Sequence, residues 1–129
     1  MAMNMVSQID DRVSVKHVLI SVSDKSKLEA FVPGLLAANY TGQPETQGGL
    51  VKALDFKIYL GLLTETYNDA HQSDLNRTGA VPIDMVVVNL YPFEQTVANR
   101  GVTFEAARGN IDIGGPCMIR ASAKNFIRV

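Results

Sequence analysis

Two short apolar runs, each cut off by a polar turn, constrain this chain most: Val18 to Val22 (VLISV) and Met85 to Leu90 (MVVVNL). Runs rich in β-branched residues, with no polar alternation, suit strands covered on both faces, as in a parallel sheet. Leu28, Phe31, Val32, Leu35 and Leu36 follow a Ser23/Asp24 cap at helical spacing, although Pro33 and Gly34 weaken or kink that helix. Phe56, Tyr59, Leu60 and Leu63 mark a second amphipathic helix over 56–67, after which NDAHQSDLNRTGA is polar and superficial. The second apolar run ends in YPF, where Pro92 stops the pairing.

Downstream, TFEAARGNIDIGGPCMIRASAKNF predicts a short helix, a turn at Gly114 and Gly115, and a final helix starting at Pro116. The paired glycines leave that helix's N-terminus open to a closely approaching anion. Strands alternating with helices predict an α/β layer fold. With 129 residues, 47% hydrophobic and 19% charged, one soluble domain is expected, with a core that needs neither disulfides nor metal.

Net charge is −1 and no stretch gathers a basic cluster, so nucleic acid is not an expected partner. The lone Cys117 excludes an internal disulfide and fits a reducing, cytoplasmic setting; it has no evident base and reads as a buried, inert thiol. Met1 to Ser14 is a polar tail without the apolar core of a signal peptide or the length of a membrane span, so no membrane partner is expected. His17 and His71 have no ligand spacing around them, so no metal is expected. Dinucleotide and P-loop fingerprints are missing too.

Chemistry is best sought where strands end. SVSDK places Ser21, Ser23 and Lys25 after the first strand, which reads either as a phosphate cradle or as a helix cap with an exposed lysine. Tyr91 closes the second strand, at the end where open α/β sheets hold ligands. Asp112 in IDIGG is either a reacting acid or a cap for the next helix. Lys25, Lys52 and Lys124 each lie in or beside a turn-rich segment, and the loop Asn39 to Gly49 is a further functional candidate.

In order along the chain, SVSDK, YTGQPE, GGLVKALDFKIY, IDMVVVNLYPF, NIDIGGP and RASAKN resemble the inosine monophosphate cyclohydrolase domain of the bifunctional formyltransferase/cyclohydrolase family. The resemblance covers Lys16 to Val129, leaving residues 1–15 as the tail. It implies a three-layer, methylglyoxal-synthase-like α/β domain with a mostly parallel sheet, closing the last ring of a purine ribonucleotide without metal or organic cofactor. It also implies that Lys52 stabilises an oxyanion and that Tyr91, Asp112 and Lys124 handle protons. Ser21, Ser23 and Lys25 would then hold phosphate or ribose, with Asn89 and the backbone at Ile113 and Gly114 meeting the base. A homodimer is compatible with this reading. A straight helix from Pro116 would set Lys124 roughly 12 Å from the turn of Asp112, so either the helix ends near Ser122 or the lysine stem reaches back.

Several positions depart from the family pattern. Ala38 runs straight into Asn39, where the family has a strand and a phosphate-binding Ser-Thr-Gly-Gly-Thr turn, a gap of about 30 residues or one β-α-β unit. Either the polypeptide lacks these residues or the intact protein has them; the unpaired strands a true excision would leave favour the second. Leu50 and Ala53 stand where the family has arginine and threonine, and Asp55-Phe56 replaces His-Pro, which unsettles substrate contacts. The sequence stops at Val129 with no formyltransferase domain following, so folate chemistry is not expected of it. Two other readings stand beside the enzyme: an inactive nucleotide-binding or regulatory domain of the same fold, and a methylglyoxal synthase, for which NLYPF and RASAKN fit less well.

Overall fold

The computed structural model describes residues 8–26 and 54–129. The expected helix over Leu28 to Leu36, the Ala38–Asn39 junction, the Asn39 to Gly49 loop and Lys52 lie outside them. Strand β1 (Val18–Val22) and strand β2 (Met85–Asn89) pair in parallel, with Val18 opposite Met85 and Val22 opposite Asn89. Helices α1 (Phe56–Leu63) and α2 (Asp69–Thr78) lie in the crossover. After β2 come α3 (Phe93–Ala98), α4 (Phe104–Gly109) and α5 (Gly114–Lys124). The result is a mixed α/β fold, its parallel strands accompanied by helices.

Ile58 and Leu62 of α1, Met118 and Ala121 of α5, and Ile83 ahead of β2 form one buried cluster. Leu19, Val86 and Val88 of the strands pack onto it. Both strands are only half-buried, and Met85 and Asn89 are exposed, so the expectation of a fully buried β2 is not met. The described core packs on the side chains of Leu19, Val86 and Val88, which share one face of the pair by strand alternation and register. Burying one face is enough to fix the register, because a one-residue slip would turn all three away from α1 and α5.

Several local expectations change for identifiable reasons. Helix α1 stops at Leu63 rather than Tyr67: the side-chain amide of Asn125 donates to the carbonyls of Leu62 (2.8 Å) and Thr64 (3.1 Å), and Thr64 Oγ1 donates to Leu60 O. The helix's last carbonyls therefore find partners outside any further turn. At its other end Asp55 accepts from Lys57 N at 2.8 Å, so one of the residues that departs from the family pattern is a helix cap. The polar stretch read as merely superficial forms α2, capped by Asn68 through His71 N and anchored by Leu75, which is 3% exposed. Helix α5 starts at Gly114, two residues before Pro116, so the glycine pair is helical rather than a turn.

Gly61 of α1 shows how tightly the layers meet. A β-carbon there would lie 2.4 Å from Val81 O, and Gly61 O accepts from Ile83 N at 3.0 Å, so the approach of α1 to the segment entering β2 requires glycine.

Candidate functional site at the carboxyl ends of the strands

The parallel register sets Val22 beside Asn89, so the residues that follow each strand emerge together. Ser23 Oγ donates to Asn89 Oδ1 at 2.5 Å and lies 3.4 Å from Leu90 O. Asp24 accepts from Ser26 N at 2.9 Å, and hydrogen bonding by the Ser26 side chain and then its backbone holds the carboxyl below the usual range. Lys25 is exposed on the same turn, and Ser21 is half-buried in β1 opposite Val88. Across the rim, Tyr91 is 47% exposed.

Asp112 joins this rim to α5. Its Oδ1 accepts from Gly115 N at 2.9 Å and its Oδ2 from Tyr91 N at 3.3 Å. The N-terminal turn of α5, expected to be open to an anion, thus has an anionic group of the chain itself on the Gly115 amide. Gly115 sits close against this contact: a β-carbon would lie 2.6 Å from Leu90 Cδ2 and 2.7 Å from Asp112 Oδ2, so a larger residue would displace those side chains.

Of the residues singled out by sequence, Ser21, Ser23, Lys25, Asn89, Tyr91, Asp112, Ile113 and Gly114 meet at this one end of the strand pair. Lys124 does not join them: α5 runs unbroken to Lys124, about 15 Å along its axis from Gly114, and the side chain there is exposed. The alternative in which the helix ends near Ser122 is closed. Cys117 is half-buried rather than buried, in the first turns of α5. The Tyr59 hydroxyl is buried without a hydrogen-bond partner of ordinary geometry among the described residues. Burial, with the Cys117 thiol nearby, pushes its ionisation above the usual tyrosine range.

The opposite end of the strands holds a network that the sequence reading missed. Arg128 Nη2 donates to Asp84 Oδ1 at 2.6 Å, and its Nη1 donates to Ile83 O (2.9 Å) and Gly61 O (3.3 Å). Asp84 Oδ2 accepts from the amides of Lys16 (2.9 Å) and His17 (2.8 Å), and the His17 ring is 3.9 Å from it. A cleft of about 370 Å³ opens beside this network, bordered by tail residues such as Asp10 and Arg12 and by Tyr67 after α1. The only sequence signal was an acid directly before a strand and an arginine in an otherwise apolar ending, IRV. Among the described residues no group of three or more metal-ligating side chains converges, and no helix is long and apolar enough to cross a membrane.

A parallel strand pair with polar side chains collected at its carboxyl ends defines an α/β protein whose candidate site lies at the strand ends. Comparison with known proteins narrows the class. No family model matches the chain. The bifunctional purine biosynthesis protein PurH of Magnetococcus marinus is 44% identical over 137 residues, covering 87% of this chain and 26% of its own length. That of Synechocystis is 52% identical over 102 residues, covering 79% of this chain and 20% of its own, and that of Bacillus cereus is 43% identical over 135 residues, covering 85% and 26%. The crystal structure of ForH matches with a TM-score of 0.67 at 25% identity, over 88% of this chain and 70% of that one. The chain is therefore a relative of one segment of the bifunctional purine biosynthesis proteins, as its ordered motifs suggested, and spans between a fifth and about a quarter of the length of those it matches.

Proposed function

We propose that this chain is an inosine monophosphate cyclohydrolase domain of methylglyoxal-synthase-like fold, acting on 5-formamidoimidazole-4-carboxamide ribonucleotide. The observation that carries the reading is the identity of 43–52% to bifunctional purine biosynthesis proteins. The meeting of Asn89, Tyr91, Asp112 and Ser23 at one rim supports it. In the reaction the carboxamide nitrogen attacks the formyl carbon, forming the ring C–N bond and a tetrahedral oxyanion. Water then leaves, built from the formyl oxygen, one proton of the carboxamide and one of the formamido nitrogen. Preorganised donors for that oxyanion and groups to move those protons are what the site must supply.

In this assignment Lys52 stabilises the oxyanion, and Tyr91, Asp112 and Lys124 surround the reacting groups. Ser21, Ser23 and Lys25 hold phosphate or ribose, and Asn89 with the backbone at Ile113 and Gly114 meets the base. The Ser23 hydroxyl would have to turn from Asn89 to reach a phosphate oxygen, which couples base and phosphate recognition. Lys124, at the far end of α5, acts in this scheme only if its stem or a second copy of the chain closes the distance.

A second reading, a nucleotide-binding domain without turnover, has its own support. The match to the Magnetococcus protein extends over 137 residues but takes in 87% of this chain, about 112 of 129, leaving roughly 25 positions without a counterpart here. We infer that these fall between Ala38 and Asn39, where a phosphate-binding turn would stand.

Mass spectrometry to fix the chain length, followed by ring closure measured by ultraviolet absorbance, tests the first reading. Wild type is expected to turn over and Tyr91→Phe to fall by about 100-fold or more, the size of one lost proton-transfer group. A folded chain that binds inosine monophosphate without turnover establishes the second reading.

A further inference from the structure

Asp112 is the one side chain that bonds both the turn after β2 and the first turn of α5 among the described residues. Both its oxygens face backbone amides, 3.3 Å from Tyr91 N and 2.9 Å from Gly115 N. Protonating the carboxyl would weaken it as an acceptor of the Tyr91 and Gly115 amides, so a cycle of proton transfer through Asp112 would loosen those contacts at every turnover. Gly115 adds a second constraint, because a β-carbon there would push on the Asp112 carboxylate and the end of Leu90. Around this contact the rim is open: Leu90, Tyr91 and Ile113 are 44%, 47% and 58% exposed, so packing does little to hold the tyrosine.

We propose that Asp112 is a positioning residue, a carboxylate tether that seats the Tyr91 turn on the start of α5 and so sets where the Tyr91 hydroxyl stands. Its relevance to catalysis rests on the cyclohydrolase reading; the tether itself does not. A carboxylate accepting two amides holds its rotamer without needing a proton, and a shift of about 1 Å in a reacting group is enough to cost about 100-fold in rate.

Amide NMR of the full chain against pH, in wild type and Asp112→Asn, tests it. The Tyr91 and Gly115 amide protons should move together through one carboxyl titration in wild type and lose it in the variant, with the Tyr91 ring resonances displaced and the rest of the spectrum retained. Ring closure by Asp112→Asn should fall by up to about 100-fold with an unchanged pH–rate profile. Amides that ignore the titration, or an unmoved Tyr91 ring, overturn the tether. Loss of one limb of the pH–rate profile makes Asp112 a proton carrier instead and overturns the positioning role. Common titration in a chain without ring closure keeps the tether and removes the cyclohydrolase reading.

Discussion

The two ends of the β1/β2 pair are built from similar residue types and behave oppositely. At the amino end Asp84 and Arg128 have side chains 8% and 7% exposed, and the guanidinium also binds two carbonyls. At the carboxyl end Ser23, Asn89, Tyr91 and Lys25 are all exposed, and the hydrogen bonds of Ser23, Asn89 and Tyr91 there are solvent-exposed rim contacts. A desolvated ion pair with every partner in place closes an end of a fold, and losing one member is costly. Polar groups in solvent contribute little to stability and stay available to a ligand. The contrast says that the fold is secured at one end and left adaptable at the other, the arrangement expected of a sheet that binds at its strand carboxyl ends.

That contrast can be broken in three ways. The largest effect is expected from Arg128→Ala, which leaves the buried Asp84 without its cationic partner and removes a donor from the Ile83 carbonyl, and should cost about 3–5 kcal/mol in urea unfolding. A loss below about 1 kcal/mol would mean that the amino end is no more secured than the rim.

Between the two ends, Tyr59→Phe removes a buried hydroxyl that has no hydrogen-bond partner of ordinary geometry among the described residues and should change stability at neutral pH by less than about 1 kcal/mol, in either direction. Its effect should appear in alkali. The folded tyrosine ionises above its ordinary value, so its contribution is complete below the unfolded pKa and is lost as pH rises through the folded one. The phenylalanine variant should therefore hold its circular dichroism to higher pH than wild type; coincident alkaline transitions would refute this.

Ser23→Ala should be the mildest, within about 0.5 kcal/mol in the same urea experiment, since the bond it removes is exposed. Its consequence should appear instead in weaker inosine monophosphate binding by calorimetry. A stability loss matching that of Arg128→Ala would erase the difference between the ends.

Much of this was legible locally. The β-branched run Val18–Val22 is a strand over its full predicted length, and β2 ends one residue before Leu90, ahead of Pro92. Local chemistry also set the helix start at Asp55, although the sequence reading treated Asp55 only as a departure from a motif. Helix α2 was missed because its apolar stripe is thin: Leu75 is its buried residue, and Asn68 and Gly79, its ends, are also turn formers.

By itself, the sequence determined the α/β alternation, the two strands, the family resemblance and the residue types at the strand ends, because periodicity, propensity and motif order are local properties. Which of those residues meet was decided only by the tertiary structure. Ser23 bonds to Asn89 because parallel register aligns positions 66 residues apart. Asp112 faces Tyr91 because α5 begins at Gly114 and packs close to Leu90, and Lys124 is held away because the same helix does not break. The end of α1 belongs to tertiary structure as well, since Asn125 and Arg128 claim carbonyls that a longer helix would have kept. Each of these outcomes depends on partners distant in the chain, whose geometry no window of neighbouring residues contains.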